Sequence, residues 1–341
     1  MLQQTRRAKP STKKWYVLVI PDVHVGYVVD TPTYSIACWD VAMQALHHYR
    51  ERLTHVVILG DFGNWEPLSH WASLRADQGF VEEDVALCNA RLDEVEAVTK
   101  PQGISVAFCE GNHEAWAGLF EAKYPQLRDT INLKRRLGFR ERGWLWVPEN
   151  HFYALGLLHF THGHLRGVRC PADMVRRCGV SVAYGHTHTY ATASLRMLEG
   201  EYAAWTMGCL ASIDPPPPYS RGEHPSSWVH GFGLVQVRAN GRFQMGFRRI
   251  LEESWCELED GTELIARPAE VRRRYDEDQR IRAALRKEYG DRYYHPGGRV
   301  LRPEPHHGKI GHDIGGVAPT ARTRRARIVR ALPEAARGGS S

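Results

Sequence analysis

Gly111-Asn112-His113-Glu114 is the stretch on which the reading of this chain turns. It follows a short apolar run, Ile104 to Cys109, set between Pro101/Gly103 and Gly111, which predicts a buried strand. Glycine at the strand's end lets the backbone turn sharply. The turn then presents an amide oxygen, a hard ligand, beside an imidazole that titrates near neutrality. Taken alone, the tetrapeptide also reads as a strand-to-helix turn with a capping Asn. Its neighbours decide between the two.

Two further apolar runs end in the same manner. Trp15 to Ile20 leads into Asp22-Val23-His24-Val25-Gly26, and Thr54 to Leu59 into Gly60-Asp61-Phe62-Gly63-Asn64. Continuous apolar runs of this length suit interior strands covered on both faces. Between them lie a helical pattern over Tyr34–Arg52, with Ile36, Val41, Ala42, Ala45 and Leu46 on one face, and one or two amphipathic helices over residues 67–100. Strand, helix, strand, helix, strand implies a parallel sheet with helices on its faces, and such sheets collect ligands at their carboxyl ends.

Beyond Glu114 the pattern changes. Residues 115–140 read as helical, including Lys134-Arg135-Arg136. Short strands follow over Trp144–Val147, Phe152–Ala154 and Leu157–Thr161, the last entering His162-Gly163-His164. A helix near Ala172–Cys178 precedes a strand, Ser181–Tyr184, that ends in Gly185-His186-Thr187-His188. Alternating strands near 190–198, 201–207, 231–238 and 242–249, with turns such as Asn240-Gly241, predict antiparallel pairing. Pro215–Pro218 predicts a stiff extended loop, residues 251–267 a hairpin around Asp260-Gly261, and Glu270–Tyr289 a charged, exposed helix. The chain thus divides into a basic arm over residues 1–14, a body over 15–250, a hairpin-and-helix extension over 251–290 and a basic tail over 291–341. The tail reads as largely disordered, apart from a short basic helix at Thr320–Leu332.

Composition narrows the classes. Across 341 residues, 43% hydrophobic and 25% charged content is ordinary for a globular protein with a sizeable core. No apolar run approaches the ~20 residues that span a bilayer, and Met1 to Lys14 holds no apolar segment of a secretory signal. Seven scattered cysteines without a C-x-x-C pair argue for reduced core thiols, hence a cytoplasmic protein. The net charge of +6 sits in the tail: residues 291–341 hold ten basic and four acidic residues, leaving thirty-five of each before them.

The strand ends supply Asp22, His24, Asp61, Asn112, His162, His186 and His188. Carboxylates with imidazoles suit two divalent ions such as Mn, Fe or Zn. Two cations ~3.5–4 Å apart need a negative charge between them, and Asp61 is the candidate bridge. Such a pair acidifies a bridging water into hydroxide, poised for in-line attack on phosphorus. His164 competes with His162 for one ligand role; His162 is favoured because it ends the apolar run and precedes Gly163. His47, His48, His55, His70 and His151 read as packed or surface residues, Trp65 and Trp71 as packing, and His230 either approaches the site or caps a strand.

In this order, the D-x-H of Asp22–His24, the G-D of Gly60–Asp61, the G-N-H-E of Gly111–Glu114, the H-G of His162–Gly163 and the G-H-x-H of Gly185–His188 resemble the calcineurin-like metallophosphoesterase superfamily. The resemblance covers about residues 15–250. It implies an α/β fold, a two-sheet α/β sandwich flanked by helices, and a dinuclear-metal-dependent phosphoesterase. It places one divalent ion (Mn foremost, with Fe, Zn or Ni as alternatives) on Asp22, His24, His188 and the bridging Asp61. The other takes Asp61, Asn112, His162 and His186. His113 stays off the metals, hydrogen-bonding the phosphate or protonating the leaving oxygen. Two departures follow. Where the protein Ser/Thr phosphatase branch continues V-D-R-G after its G-D, this chain has Phe62-Gly63-Asn64-Trp65, so a phosphate-gripping Arg is missing; the second aspartate of G-D-x-x-D is Asn64. Trp228-Val229-His230-Gly231-Phe232-Gly233 looks like phage-type members. The expected activity is that of a phosphodiesterase, either a nuclease or a nucleotide phosphodiesterase. The alternatives are a phosphatase acting on protein or small-molecule monoesters and a non-catalytic scaffold or nucleic-acid-binding protein. The Arg322–Arg330 run suggests DNA or RNA as a partner, against a merely solvated tail.

Overall fold

The apolar run of Trp15–Ile20 (β2) splits its side chains between two cores, because successive residues of a strand face opposite ways. Val17 and Val19 point into one cluster, with Val57, Leu59, Phe160 and Val235. Leu18 and Ile20 point into another, with Val56, Ile58, Phe108 and the apolar faces of two helices. Both faces of the strand are therefore dry, which is why it alternates so little in sequence. The structure, a computed structural model, describes residues 4–7, 14–28, 30–69, 80–127, 129–165, 167, 169–213 and 227–289. The expected Pro215–Pro218 loop, His70, Trp71 and the tail from Asp291, with its Thr320–Leu332 helix and Arg322–Arg330 run, lie outside these residues.

Two six-stranded sheets stack face to face. In the first, β2 is flanked by His55–Ile58 (β5), Ser105–Cys109 (β6) and Leu145–Val147 (β7), all parallel. On its other side Gly231–Val237 (β13) pairs antiparallel with β2 and with Phe243–Arg249 (β14). The second sheet holds Phe152–Leu155 (β8), Leu158–Thr161 (β9), Ser181–Tyr184 (β10), Thr192–Met197 (β11) and Gly200–Thr206 (β12), with β9, β10 and β12 parallel. Gln4–Arg7 (β1), inside the expected basic arm, runs parallel to β8 at this sheet's edge. Ile36–Tyr49 (α1) and Val81–Thr99 (α2) cover the first sheet. Cys170–Cys178 (α5) covers the second through Met174 and Val175. This is the two-sheet α/β sandwich flanked by helices that the motif order implied. Each sheet mixes parallel and antiparallel strands, since the late hairpins β11/β12 and β13/β14 join different sheets.

Two expectations need correction. Residues 115–140 are not helical throughout: Asn112–Lys123 (α3) stops before Pro125, whose ring cannot continue it, and α-helix resumes only at Leu133–Arg136 (α4). The helix expected to be exposed, Pro268–Tyr289 (α6), instead packs against α1 and α2. Its inner stripe is Arg274, Asp278 and Arg282, spaced four apart and nearly inaccessible to solvent. Arg274 bonds Asp40 at 2.7 Å and Glu94 at 2.9 Å, and Arg282 bonds Glu83 at 2.5 Å. A stripe of charges leaves no apolar periodicity to read, although buried charges are stable only when paired in this way. Ahead of α6, Tyr27–Val28 (β3) and Thr31–Pro32 (β4) form a tight ribbon, and Trp255–Glu257 (β15) with Glu263–Ile265 (β16) forms the hairpin expected around Asp260-Gly261. No described helix is long and apolar enough to cross a membrane. All seven cysteines are unpaired, six of them buried.

Candidate metal centre

The carboxyl ends of β2, β5, β6, β9 and β10 meet at one edge of the sandwich, each giving way to a polar turn. Asp22 and His24 follow β2, Asp61 follows β5, and Asn112 and His113 open α3 after β6. His162 follows β9, and His186 and His188 follow β10. Backbone bonds lock the first two turns together: His24 N donates to Asp61 O at 2.9 Å and Val25 N to Phe62 O at 2.7 Å.

Three groups of potential ligand atoms result, each within 4.8 Å: Asp22/His24/His188, His24/Asp61/His113 and Asp61/His162/His186. His24 Nε2 lies 3.0 Å from His188 Nε2, and His188 Nε2 lies 3.4 Å from Asp22 Oδ1. On the other flank His162 Nε2 is 3.2 Å from Asp61 Oδ2, 3.0 Å from Asn112 Oδ1 and 3.2 Å from His186 Nδ1. Asn112 Oδ1 is 2.7 Å from His186 Nδ1. Asp61 sits between the flanks, its Oδ2 3.9 Å from both His24 and His113. All seven candidate ligands come together. His164 stays outside, exposed, with Nε2 3.5 Å from Arg177.

The donor set fits divalent ions. Ligand atoms ~3 Å apart are the edges of coordination polyhedra with bonds of about 2.1 Å. Asp22 Oδ2 is buried without a hydrogen-bond partner among the described residues. His162 Nδ1 must donate to Leu59 O at 2.7 Å, because a carbonyl only accepts, and this leaves Nε2 as the nitrogen able to coordinate an ion. Gly185 and Gly111 keep the carboxylates in place: a Cβ at either would come within 2.1 Å of Asp22 Oδ2 or 2.2 Å of Asp61 Oδ1.

Charge is distributed unevenly. Burial opposes ionisation of Asp61, but the imidazoles of His162 and His113 outweigh it and hold its carboxyl well below the usual carboxylate range. Burial also opposes a charge on His162, yet Asp61 outweighs it and lifts His162 to about 10. His24 falls well below its ordinary value through burial and the nearby His113 and His188. His113 is lowered by burial, with Asp61 opposing, and its Nδ1 donates to Asn64 O at 2.7 Å.

Four candidate ligands have left-handed backbones: His24 (φ 58°), Asp61 (43°), His186 (69°) and His188 (56°). For residues with a Cβ this costs about 1–2 kcal/mol each, and it persists only where surroundings enforce it. For Asp61 the enforcer is Glu114. Its Oε2 accepts from Asp61 N at 2.8 Å and Gly111 N at 3.0 Å. Its Oε1 accepts from Phe62 N at 3.0 Å, Gly63 N at 3.2 Å and Trp65 Nε1 at 2.9 Å. Nothing in the sequence assigns Glu114 this role, and Trp65 reads there as packing alone. The only hint was a carboxylate three residues into a helix that begins at a motif glycine.

The calcineurin-like phosphoesterase family model matches residues 16–190, just over half the chain, and spans every residue of this centre. The chain belongs to the calcineurin-like phosphoesterase family. None of the curated proteins matches it. As a calcineurin-like phosphoesterase it is a metal-dependent hydrolase of phosphate esters, and its clustered Asp and His residues suit a pair of divalent ions. Asp61 favours a proton on His162, which a metal bound through Nε2 would displace, so metal affinity should climb about tenfold per pH unit from 6.5 upward, flattening at about 10. Mn(II) titrations between pH 6.5 and 8.5 check this; an affinity independent of pH contradicts it.

Proposed function

We propose that this hydrolase cleaves phosphodiesters, in nucleic acid or nucleotides, with Mn(II) as its working metal. The observation that carries the reading is the turn after Asp61. Where protein phosphatases of the superfamily place an arginine, this chain has Phe62, Gly63, Asn64 and Trp65, all buried. The dianion of a phosphomonoester gains most from such a cation, whereas a diester carries one charge fewer. Two further features support the cellular setting: seven unpaired cysteines favour a reducing cytoplasm, and the basic tail favours a polyanionic partner.

In this reading one ion is held by Asp22, His24, His188 and Asp61, and the other by Asp61, Asn112, His162 and His186. When bound, the pair supplies a nucleophile from water at neutral pH and neutralises charge on the ester oxygens. The chain's own residues do the rest. Asn112 and His186 are half-buried while the other ligands are buried, so the ester enters on their side. Trp116, its ring 4.0 Å from His113, and the Asn64 carbonyl fix the imidazole with Nε2 turned toward Asp61. An anionic ester beside Nε2 raises the low pKa of His113, so a proton is gained as substrate binds and is then given to the leaving oxygen.

With Mn(II) present, bis(p-nitrophenyl) phosphate should turn over faster than p-nitrophenyl phosphate, and labelled DNA should be cut; a faster monoester contradicts the proposal. His113→Ala should keep its metal but lose about 10²–10⁴-fold in kcat on an alkyl diester, and far less on a nitrophenyl diester. Equal losses on both would remove His113 as proton donor.

A further inference from the structure

His24 poses a question that the motifs leave unanswered. Its left-handed backbone needs a restraint on each side, yet Asp61 and Phe62 hold only one. On the other side Thr33 Oγ1 donates to His24 O at 2.6 Å, and Thr33 N donates to Gly26 O at 2.9 Å. Thr33 and Tyr34 directly follow the second strand of the β3/β4 ribbon, which opens at Tyr27. Both tyrosine hydroxyls donate to one carboxylate oxygen, Asp278 Oδ2, from 3.1 Å and 2.7 Å. Asp278 lies on α6, fully buried, far beyond the residues that define the family. Its other oxygen is 3.5 Å from Arg91, itself fully buried and anchored by Glu94 at 2.7 Å and Glu277 at 2.5 Å. Arg282 lies over the Tyr27 ring, 4.2 Å from its centre. Next to Tyr34, Ser35 N donates to Leu210 O and Leu210 N to Asp22 O, both at 2.9 Å.

We infer that Asp278 is a positioning residue for the metal held by Asp22, His24 and His188, acting through the hydroxyls of Tyr27 and Tyr34. It touches neither metal ligand nor substrate. It fixes the ribbon, and the ribbon fixes the carbonyl of His24 and, through Leu210, that of Asp22. Among the described residues the other metal position, on Asn112, His162 and His186, is tied to this path only at second hand, by His186 N donating to Asp22 Oδ1 at 2.8 Å and by the shared Asp61, whose carbonyl accepts from His24 N. The inference rests on the two-metal reading of the centre and is independent of which ester is cleaved.

The paired change Tyr27→Phe/Tyr34→Phe removes the two hydroxyls and keeps both rings, with Tyr34→Phe alone as a milder companion. Mn(II) binding is followed by calorimetry, so no turnover is needed. The wild-type chain should show two binding events. In the paired variant the event that His188→Ala abolishes should weaken about tenfold, the loss expected for hydrogen bonds to a charged group, while the other holds within about twofold. Tyr34→Phe should move the same event in the same direction by less. Two unchanged events overturn the inference. So does parallel weakening of both with a fall in Tm, which would make the hydroxyls mere supports of the fold. A wild-type chain binding fewer than two ions overturns the two-metal reading and this assignment with it, whereas inert diesters alongside the expected binding pattern overturn only the proposed activity.

Discussion

A single buried carboxylate, that of Glu114, gathers five donors from the turns that follow β5 and β6. Backbone N–H groups at a sharp turn must find acceptors once water is excluded. Glu114 meets that need for Asp61, Phe62, Gly63 and Gly111 together, and Trp65 adds a side-chain donor. Burial and the neighbouring Asp61 lift its pKa to about 7 while the donors oppose this, so its environment is a compromise between charge and dryness. The compromise leaves Asp61 in a left-handed conformation with its carboxylate between two imidazole clusters. Every further property of the centre depends on that placement.

The same logic extends outward through charge rather than apolar contact. Arg91, Arg274, Arg282, Asp40, Glu83 and Asp278 are almost wholly buried, and each has partners of opposite charge. Replacing one member of such a network strands the others in a dry setting, which makes buried pairs better at fixing geometry than at adding stability. The α6 network thus joins the far end of the chain to the turns that follow β2. A domain drawn at the family boundary, residue 190, leaves out β13, which pairs directly with β2, as well as this helix.

Legibility in the sequence followed the physics of each element. β2, β5 and β6 were readable because burial on both faces demands unbroken apolar runs, and the ligands were readable because each follows such a run. The mixed pairing within each sheet was hidden, since periodicity reports which face is buried and not which strand is next door. Residues 115–140 looked helical by composition, and Pro125 broke the helix. In α6 the buried face is ionic, and in isolation a stripe of Arg and Asp is indistinguishable from a solvated one. Left-handed backbones at His24, His186 and His188 had no usable signature, because that region is uncommon for any residue with a Cβ and histidine, though enriched there, is mostly found elsewhere. The choice between His162 and His164 came from the residue that ends the run, and it is His162 that the structure brings into the cluster.

In the proposed centre Asp61, fixed by Glu114, is shared by two ions, and anomalous diffraction from crystals grown with Mn(II) tests this. Two manganese peaks about 3.5–4 Å apart with the Asp61 carboxylate between them are expected. A single peak, or two peaks of which only one contacts Asp61, contradicts it.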